Sequence, residues 1–290
     1  MEIPFTKMHA LGNNYIYLDL FKFKLEEEIL SDVTVKVSNV STGIGSDGMI
    51  LIHPTKNAEV GMRIFNKDGS EGMNCGNGLR CTARYAYETE IVTQKQFRIE
   101  TKSGIVHAEV IVDDDKVKDV TIDMGKPRLR RSNIPMVGED LEQVVNEPFE
   151  INGHNLNVTT VSMGNPHAVF FVHDIEEAPL YELGETIEKD LRFPERVNVE
   201  FVEVVNENEL NFRVWERGSG ITEACGTGAC AAVVAATLNN YIRKNTLITV
   251  HLQGGDLFIK WDEDGSVWMT GEAKVIATGS YYYETLNPNG

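Results

Sequence analysis

The chain has 290 residues, 42% of them hydrophobic, which is enough for two ordinary domains, each with its own core. A formal net charge of −17, from 27 basic against 44 acidic residues, excludes nucleic acid and anionic membranes as partners, because both require clustered positive potential. The opening MEIPFTKMHALGNNY has no apolar signal core, and the longest apolar run, Ala229 to Ala236, is far short of the roughly 20 residues of a membrane span, so a cytoplasmic protein with four free thiols is expected.

In chain order, a small helix is predicted over 25–37, followed by strands in GMILIHP and EVGMRIF. The glycine-rich stretch NKDGSEGMNCGNGLRC, Asn66 to Cys81, then opens a helix over Leu79 to Thr89. Strands resume in QFRIETKSGIVHAEVIVDD and VKDVTIDMG. A Gly-Lys-Pro turn and the basic run KPRLRR, read as a solvated loop, place a domain boundary near Met124 to Arg131. The second half repeats this pattern, with strands in LNVTTVSMGNPHAVFFV, a small helix over 181–190, strands in NVEFVEVVNENELNFRVWERG, and a second glycine turn, ERGSGITEACGTGAC. That turn opens a helix over Ala229 to Tyr241, and strands in LITVHLQGGDLFIKWDEDGSVWMTG close the half. The Ala-rich second helix is small and apolar nearly all round, so it is expected to be buried on every side, threaded through strands that wrap it. The fold class is therefore α/β of the α+β kind. Residues 1–124 and 125–272 form two similar domains, and the segment 273–290 returns to the first.

Cys75 and Cys225 occupy equivalent places in CGNG and CGTG, close to half the chain apart, and the spacing points to a duplicated unit with paired chemistry. Glycines let the backbone approach a ligand closely, and the free N–H groups of a following helix start cradle an anion such as a carboxylate. The same partial positive charge favours a thiolate. Cys81 and Cys230 lack the glycine setting and are expected to be buried packing residues.

Zinc is disfavoured because the cysteine spacings within each pair are longer than those of common ligand pairs. A redox pair lacks Cys-x-x-Cys. GIGSDG, Gly43 to Gly48, matches a dinucleotide glycine pattern but leads into a strand where that motif requires a helix. No lysine stands in a pyridoxal motif, so the expected cofactor is none and the expected metal is none.

KMHALGNNY, NKDGSEGMNCGNGLR, SMGNPHAVFFV, ERVNVEFV and WERGSGITEACGTGACA together resemble the diaminopimelate epimerase family, in order and over essentially the whole chain. The resemblance implies an isomerase that interconverts LL- and meso-2,6-diaminopimelate without pyridoxal phosphate, in lysine and peptidoglycan precursor biosynthesis. It also implies two curved, mostly antiparallel sheets, each around a central helix and related by a pseudo-two-fold, with the active site in the cleft between them, in a homodimer. Inversion at carbon needs a base on one face and an acid on the other, and the resemblance assigns these roles to Cys75 and Cys225, with His167 and Glu216 tuning their acidity. Asn13, Asn66, Asn165, Asn198, Glu216 and Arg217, with the backbone of Gly76, Asn77, Gly226 and Thr227, fall at the family's substrate-binding positions. Gly48 departs from the pattern, standing where the family often has a substrate-binding glutamine. The alternatives are a proline or hydroxyproline racemase, which usually has histidine where Asn77 stands, an isomerase of the phenazine-biosynthesis type, which lacks the two cysteines, and a non-catalytic thiol-bearing amino-acid-binding protein.

Overall fold

Alternation of apolar and polar residues, as in the LITVHL and QFRIET segments, gives strands with one buried face. The computed structural model describes residues 1–73, 75–140 and 143–284. It divides into two units, one formed by Met1–Ile122 with the chain from Gly271 onward, the other by Asp123–Thr270.

The first unit contains β1 (Glu2–Ala10), β2 (Asn13–Asp19), β3 (Gly48–His53), β4 (Val60–Asn66), β5 (Gln96–Thr101), β6 (Gly104–Asp113), β7 (Lys116–Asp123) and β17 (Lys274–Tyr282). β17 pairs antiparallel with β1, and β1 pairs antiparallel with β2. From β2 to β7 the successive pairings are parallel, antiparallel, parallel, antiparallel and antiparallel. Parallel neighbours need a crossover. Helix α1 (Leu30–Ser38) lies in the β2–β3 connection and α2 (Gly76–Glu88) in the β4–β5 connection.

The second unit repeats this order with β8 (Glu147–Ile151), β9 (His154–Ser162), β10 (Pro166–Val172), β11 (Asn198–Asn206), β12 (Glu209–Glu216), β14 (Leu247–Leu252), β15 (Gly255–Trp261) and β16 (Val267–Gly271). Its pairings run antiparallel, antiparallel, parallel, antiparallel, parallel, antiparallel, antiparallel, the sequence found in the first unit. Helices α3 (Leu180–Glu188) and α4 (Gly226–Leu238) occupy the two crossovers, and a short β13 (Gly220–Ile221) folds back on β12. The duplication is thus carried by the strand pairing itself.

Helices α2 and α4 each begin earlier than the sequence reading places them, because the glycines after each cysteine form the first helical turn. Glycine disfavours a helix interior, yet here the cysteine sulfur caps the turn, and around Gly228 the Glu200 carboxyl, the Phe212 ring and the sulfur leave little room for a larger side chain. In α4 every residue from Gly228 to Ala236 is buried. Small side chains let the strands around it approach closely. Phe149, Phe170, Phe193 and Phe201 pack edge-on and stacked in the adjoining core of the same unit. In the first unit Ile16, Leu18, Met49 and Leu51 of the sheet pack on Leu30, Val33 and Val37 of α1. Among the described residues no helix is long and apolar enough to cross a membrane.

Candidate active site

Each of the two cysteines is an N-cap. Cys75 has extended backbone (φ −152°, ψ 115°) and its sulfur accepts from Gly78 N at 3.4 Å. Cys225 has φ −119° and ψ 104°, and accepts from Gly228 N at 3.4 Å. Both helices therefore aim their N–H groups at a cysteine sulfur, the arrangement that lowers the cost of a thiolate.

Around Cys75 the structure gathers Asn13 and Asn77. Asp47 fixes the Asn13 amide by accepting from its Nδ2 at 2.9 Å, which turns Asn13 Oδ1 toward Cys75 Sγ (3.6 Å) and Asn77 Nδ2 (3.3 Å). Arg80, wholly buried one turn along α2, donates to Asn77 Oδ1 at 2.8 Å. Tyr15, two residues after Asn13 on the same face of β2, hydrogen bonds the cysteine as well. Burial pushes the Cys75 thiol up, while Gly78 N–H, Tyr15, Asn77 N–H and the Arg80 charge pull it back down. Gly76 is the first residue of the helix. Asn66 ends β4 and gives its amide hydrogen to Ser70 Oγ at 3.1 Å rather than to the Cys75 group.

Around Cys225 the chemistry differs. Burial and the charge of Glu216 push this thiol well up, with Thr227 and Gly228 N–H opposing. Glu216 hydrogen bonds Cys225 and accepts from Thr222, and burial pushes its own carboxyl up. Thr227 Oγ1 lies 3.6 Å from Cys225 Sγ and accepts from Asn165 Nδ2 at 3.2 Å. Asn165 Oδ1 in turn meets His167 Nε2 at 3.0 Å. Asn198 ties two backbone segments together: its Nδ2 donates to Pro166 O at 3.0 Å and its Oδ1 accepts from Arg217 N at 2.8 Å. The Arg217 guanidinium reaches Glu195 O at 2.9 Å. Gly226 begins α4.

Sequence reasoning missed Tyr15, Asp47, Arg80 and Glu200. Overlaying the two halves would have found two of them, since Tyr15 follows Asn13 as His167 follows Asn165, and Glu200 stands before Cys225 as Ile50 stands before Cys75. Gly48 has a structural reason: a Cβ there would come within 2.0 Å of the Phe65 carbonyl oxygen and 3.1 Å of the Tyr15 ring, so no glutamine fits this backbone. Cys81 and Cys230 are buried, and burial pushes the Cys81 thiol up to about 12. No group of three or more His, Cys, Asp or Glu side chains among the described residues could hold a metal ion.

The family model for diaminopimelate epimerase matches residues 5–130 and 159–276, spanning both cysteine turns. The chain belongs to the diaminopimelate epimerase family. It is 67% identical to the diaminopimelate epimerase of Oceanobacillus iheyensis over 98% of this chain and 99% of that one, and 60% identical to that of Bacillus subtilis over 96% and 98%. Among solved structures it resembles a phenazine-biosynthesis protein of the PhzF family from Bacillus anthracis, with a TM-score of 0.72 at 16% identity over 98% of this chain and 100% of that one. A probable proline racemase from Agrobacterium radiobacter gives 0.68 at 14% identity over 99% and 94%. These two share the fold. Membership in the epimerase family makes the chain an isomerase with a small-molecule substrate, and the racemase and binding-protein alternatives are not favoured.

Proposed function

We propose that this member of the diaminopimelate epimerase family interconverts LL- and meso-2,6-diaminopimelate by a two-base mechanism that needs no cofactor, with Cys75 and Cys225 as the acid–base pair. The observation that carries the reading is the duplicated cap, in which two cysteines each accept an N–H from the first turn of a helix at 3.4 Å. One thiolate removes the α-proton while the other thiol delivers a proton to the opposite face, and reversal of the roles runs the reaction backward. Carbanion formation without an electron sink needs donors aimed at the α-carboxylate. The N–H groups of Gly76, Asn77, Gly226 and Thr227 supply them in this reading. Asn13, Asn66, Asn165, Asn198, Glu216 and Arg217 hold the remaining polar groups, with Arg217 suited to a carboxylate. His167 and Glu216 tune the cysteines.

The two units serve as two domains in this reading, and the enzyme works in the cytoplasm as a homodimer. Support for the dimer comes from β17, which is exposed along nearly its whole length and carries Val275, Ile276 and Tyr282. Incubating the protein with LL-diaminopimelate and separating the products by chiral chromatography tests the function. Formation of the meso isomer without added cofactor supports it, and an unchanged substrate with folded protein refutes it.

A further inference from the structure

Cys225 stands at one end of a hydrogen-bonded chain whose other end is a carboxyl group with no assigned role. Glu200, at the third position of β11, is fully buried, and its Oε2 has no hydrogen-bond partner. Its Oε1 meets His167 Nδ1 at 2.6 Å. From His167 the chain passes through Asn165 and Thr227 to the Cys225 sulfur. The middle of the chain fixes its polarity. Asn165 Nδ2 is a donor and faces Thr227, so Oδ1 faces His167 and can only accept. His167 Nε2 therefore carries a hydrogen.

Two arrangements then satisfy the short contact at Nδ1. Either an imidazolium faces a carboxylate, or a neutral imidazole accepts from a carboxylic acid. The surroundings decide between them. A Cβ on Gly228 would lie 3.0 Å from Glu200 Oε1 and 3.2 Å from Cys225 Sγ, so the carboxyl and the sulfur crowd the same helical turn. The titratable groups gathered here are His167 from β10, Glu200 from β11, Glu216 from β12 and Cys225 at the start of α4. An imidazolium–carboxylate pair beside Glu216 and Cys225 would leave one oxygen of the anion bare in the interior, a costly arrangement. A protonated acid leaves bare only a carbonyl oxygen. Burial also pushes the Glu200 carboxyl up, His167 opposing and Glu216 adding to the rise.

We propose that Glu200 is a neutral, protonated carboxylic acid that donates to His167 Nδ1 and so locks the Nε2–H tautomer, making it a positioning residue for Asn165, Thr227 and the Cys225 sulfur. The proposal rests on the reading of Cys225 as an acid–base cysteine. The proton stays within the His167–Glu200 pair throughout, and the donors of the chain all point toward Cys225.

Two substitutions and two spectra test it. In Glu200→Gln the carboxamide N–H replaces the acid O–H, so this variant keeps the tautomer and stays within a few-fold of the wild-type kcat. Glu200→Ile, the residue found at the equivalent place in the first unit, removes the donor and lowers kcat by roughly 10- to 100-fold, the usual range for losing the partner that orients a functional side chain. The ¹⁵N resonances of His167 are expected to show a neutral ring protonated at Nε2 in the wild type and in Glu200→Gln. The infrared spectrum of the wild type at neutral pH is expected to show a protonated-carboxyl band that Glu200→Gln abolishes. A doubly protonated ring, a missing band, or a Glu200→Gln variant as impaired as Glu200→Ile overturns the proposal. Both spectra are independent of turnover, so a wild type that leaves diaminopimelate unchanged refutes the functional reading alone. If Glu200→Ile does not fold, the spectra of the wild type and Glu200→Gln decide.

Discussion

The two cysteine turns share a backbone and differ in everything that sets their charge. Asn13 and Asn165 lie at matching places, as do Tyr15 and His167, Ile50 and Glu200, Asn66 and Glu216, and Arg80 and Cys230. The first turn thus has a phenol, an aliphatic chain, an amide and a buried cation. The second has an imidazole and two carboxyl groups. Burial raises both thiols, but Arg80 and Tyr15 draw Cys75 back toward the thiolate, whereas Glu216 pushes Cys225 further toward the thiol. A duplicated frame has been given opposite electrostatics. If the two cysteines are the acid–base pair proposed above, this difference makes Cys75 the readier base and Cys225 the readier acid.

The largest expected effect comes from removing either sulfur. Cys75→Ser and Cys225→Ser are each expected to lower epimerisation by at least about 10²-fold, the contribution of a positioned acid or base. A folded serine variant with near-normal turnover, measured by chiral chromatography, would break the pairing of the two turns.

How much of this was legible in the sequence follows from the same comparison. The glycine turns announced both cysteines, and the repeated order of strands around one helix announced the duplication. Both signals are local. The starts of α2 and α4 were misplaced because glycine is read as a helix breaker, while in α4 its role is to leave room: a Cβ on Gly228 would lie 3.0 Å from Glu200 Oε1 and 3.2 Å from Cys225 Sγ. Asp47 and Glu200 stayed hidden because their roles depend on strand pairing, which brings β3 and β11 beneath the cysteine turns, and Arg80 because a charged residue in a helix reads as solvated whereas here it is buried. Asn66 and Asn198, picked from their motifs as substrate ligands, also tie their own segments together, Asn66 bonding Ser70 and Asn198 bonding Pro166 and Arg217.

The second prediction measures the electrostatic difference directly. With folded pKa values raised in both turns, thiolate appears only as pH climbs, and it appears first at the less strongly raised group. Alkylation by iodoacetamide, followed at each cysteine by mass spectrometry as a function of pH, is expected to show a lower midpoint for Cys75 than for Cys225. Using midpoints rather than rates removes the advantage that Cys75 has from its greater exposure. Reversed midpoints would exchange the readier base and acid.

A smaller effect isolates one donor. Tyr15→Phe keeps the ring against Gly48 and removes only the hydroxyl that bonds Cys75. Hydrogen bonds to charged groups are worth about 1.5–3 kcal/mol, so the Cys75 thiolate should become scarcer at neutral pH and kcat/KM should fall roughly 10- to 100-fold. The sign gives a second check. Because the loss acts by raising the Cys75 thiol further, activity should recover toward wild type as pH increases, which a packing defect would not do.

The smallest expected effect compares the two glycines that receive the sulfurs. Gly78→Ala would place its methyl 2.7 Å from Ile50 Cδ1, the far end of a flexible side chain that can rotate away. The gain in helix propensity, about 1 kcal/mol, offsets that adjustment, and the melting temperature should hardly move. Gly228→Ala would meet Glu200 Oε1 and the Phe212 ring edge at 3.0 Å and Cys225 Sγ at 3.2 Å. None of these can retreat freely, because Glu200 is tied to His167 and Cys225 caps the same turn. Overpacking of this kind costs about 1–3 kcal/mol, less the same propensity gain, so thermal unfolding should show Gly228→Ala below Gly78→Ala by a few degrees. Equal melting temperatures would mean that the carboxyl and sulfur around Gly228 have slack, and that their hydrogen bonds do not hold them against the added methyl.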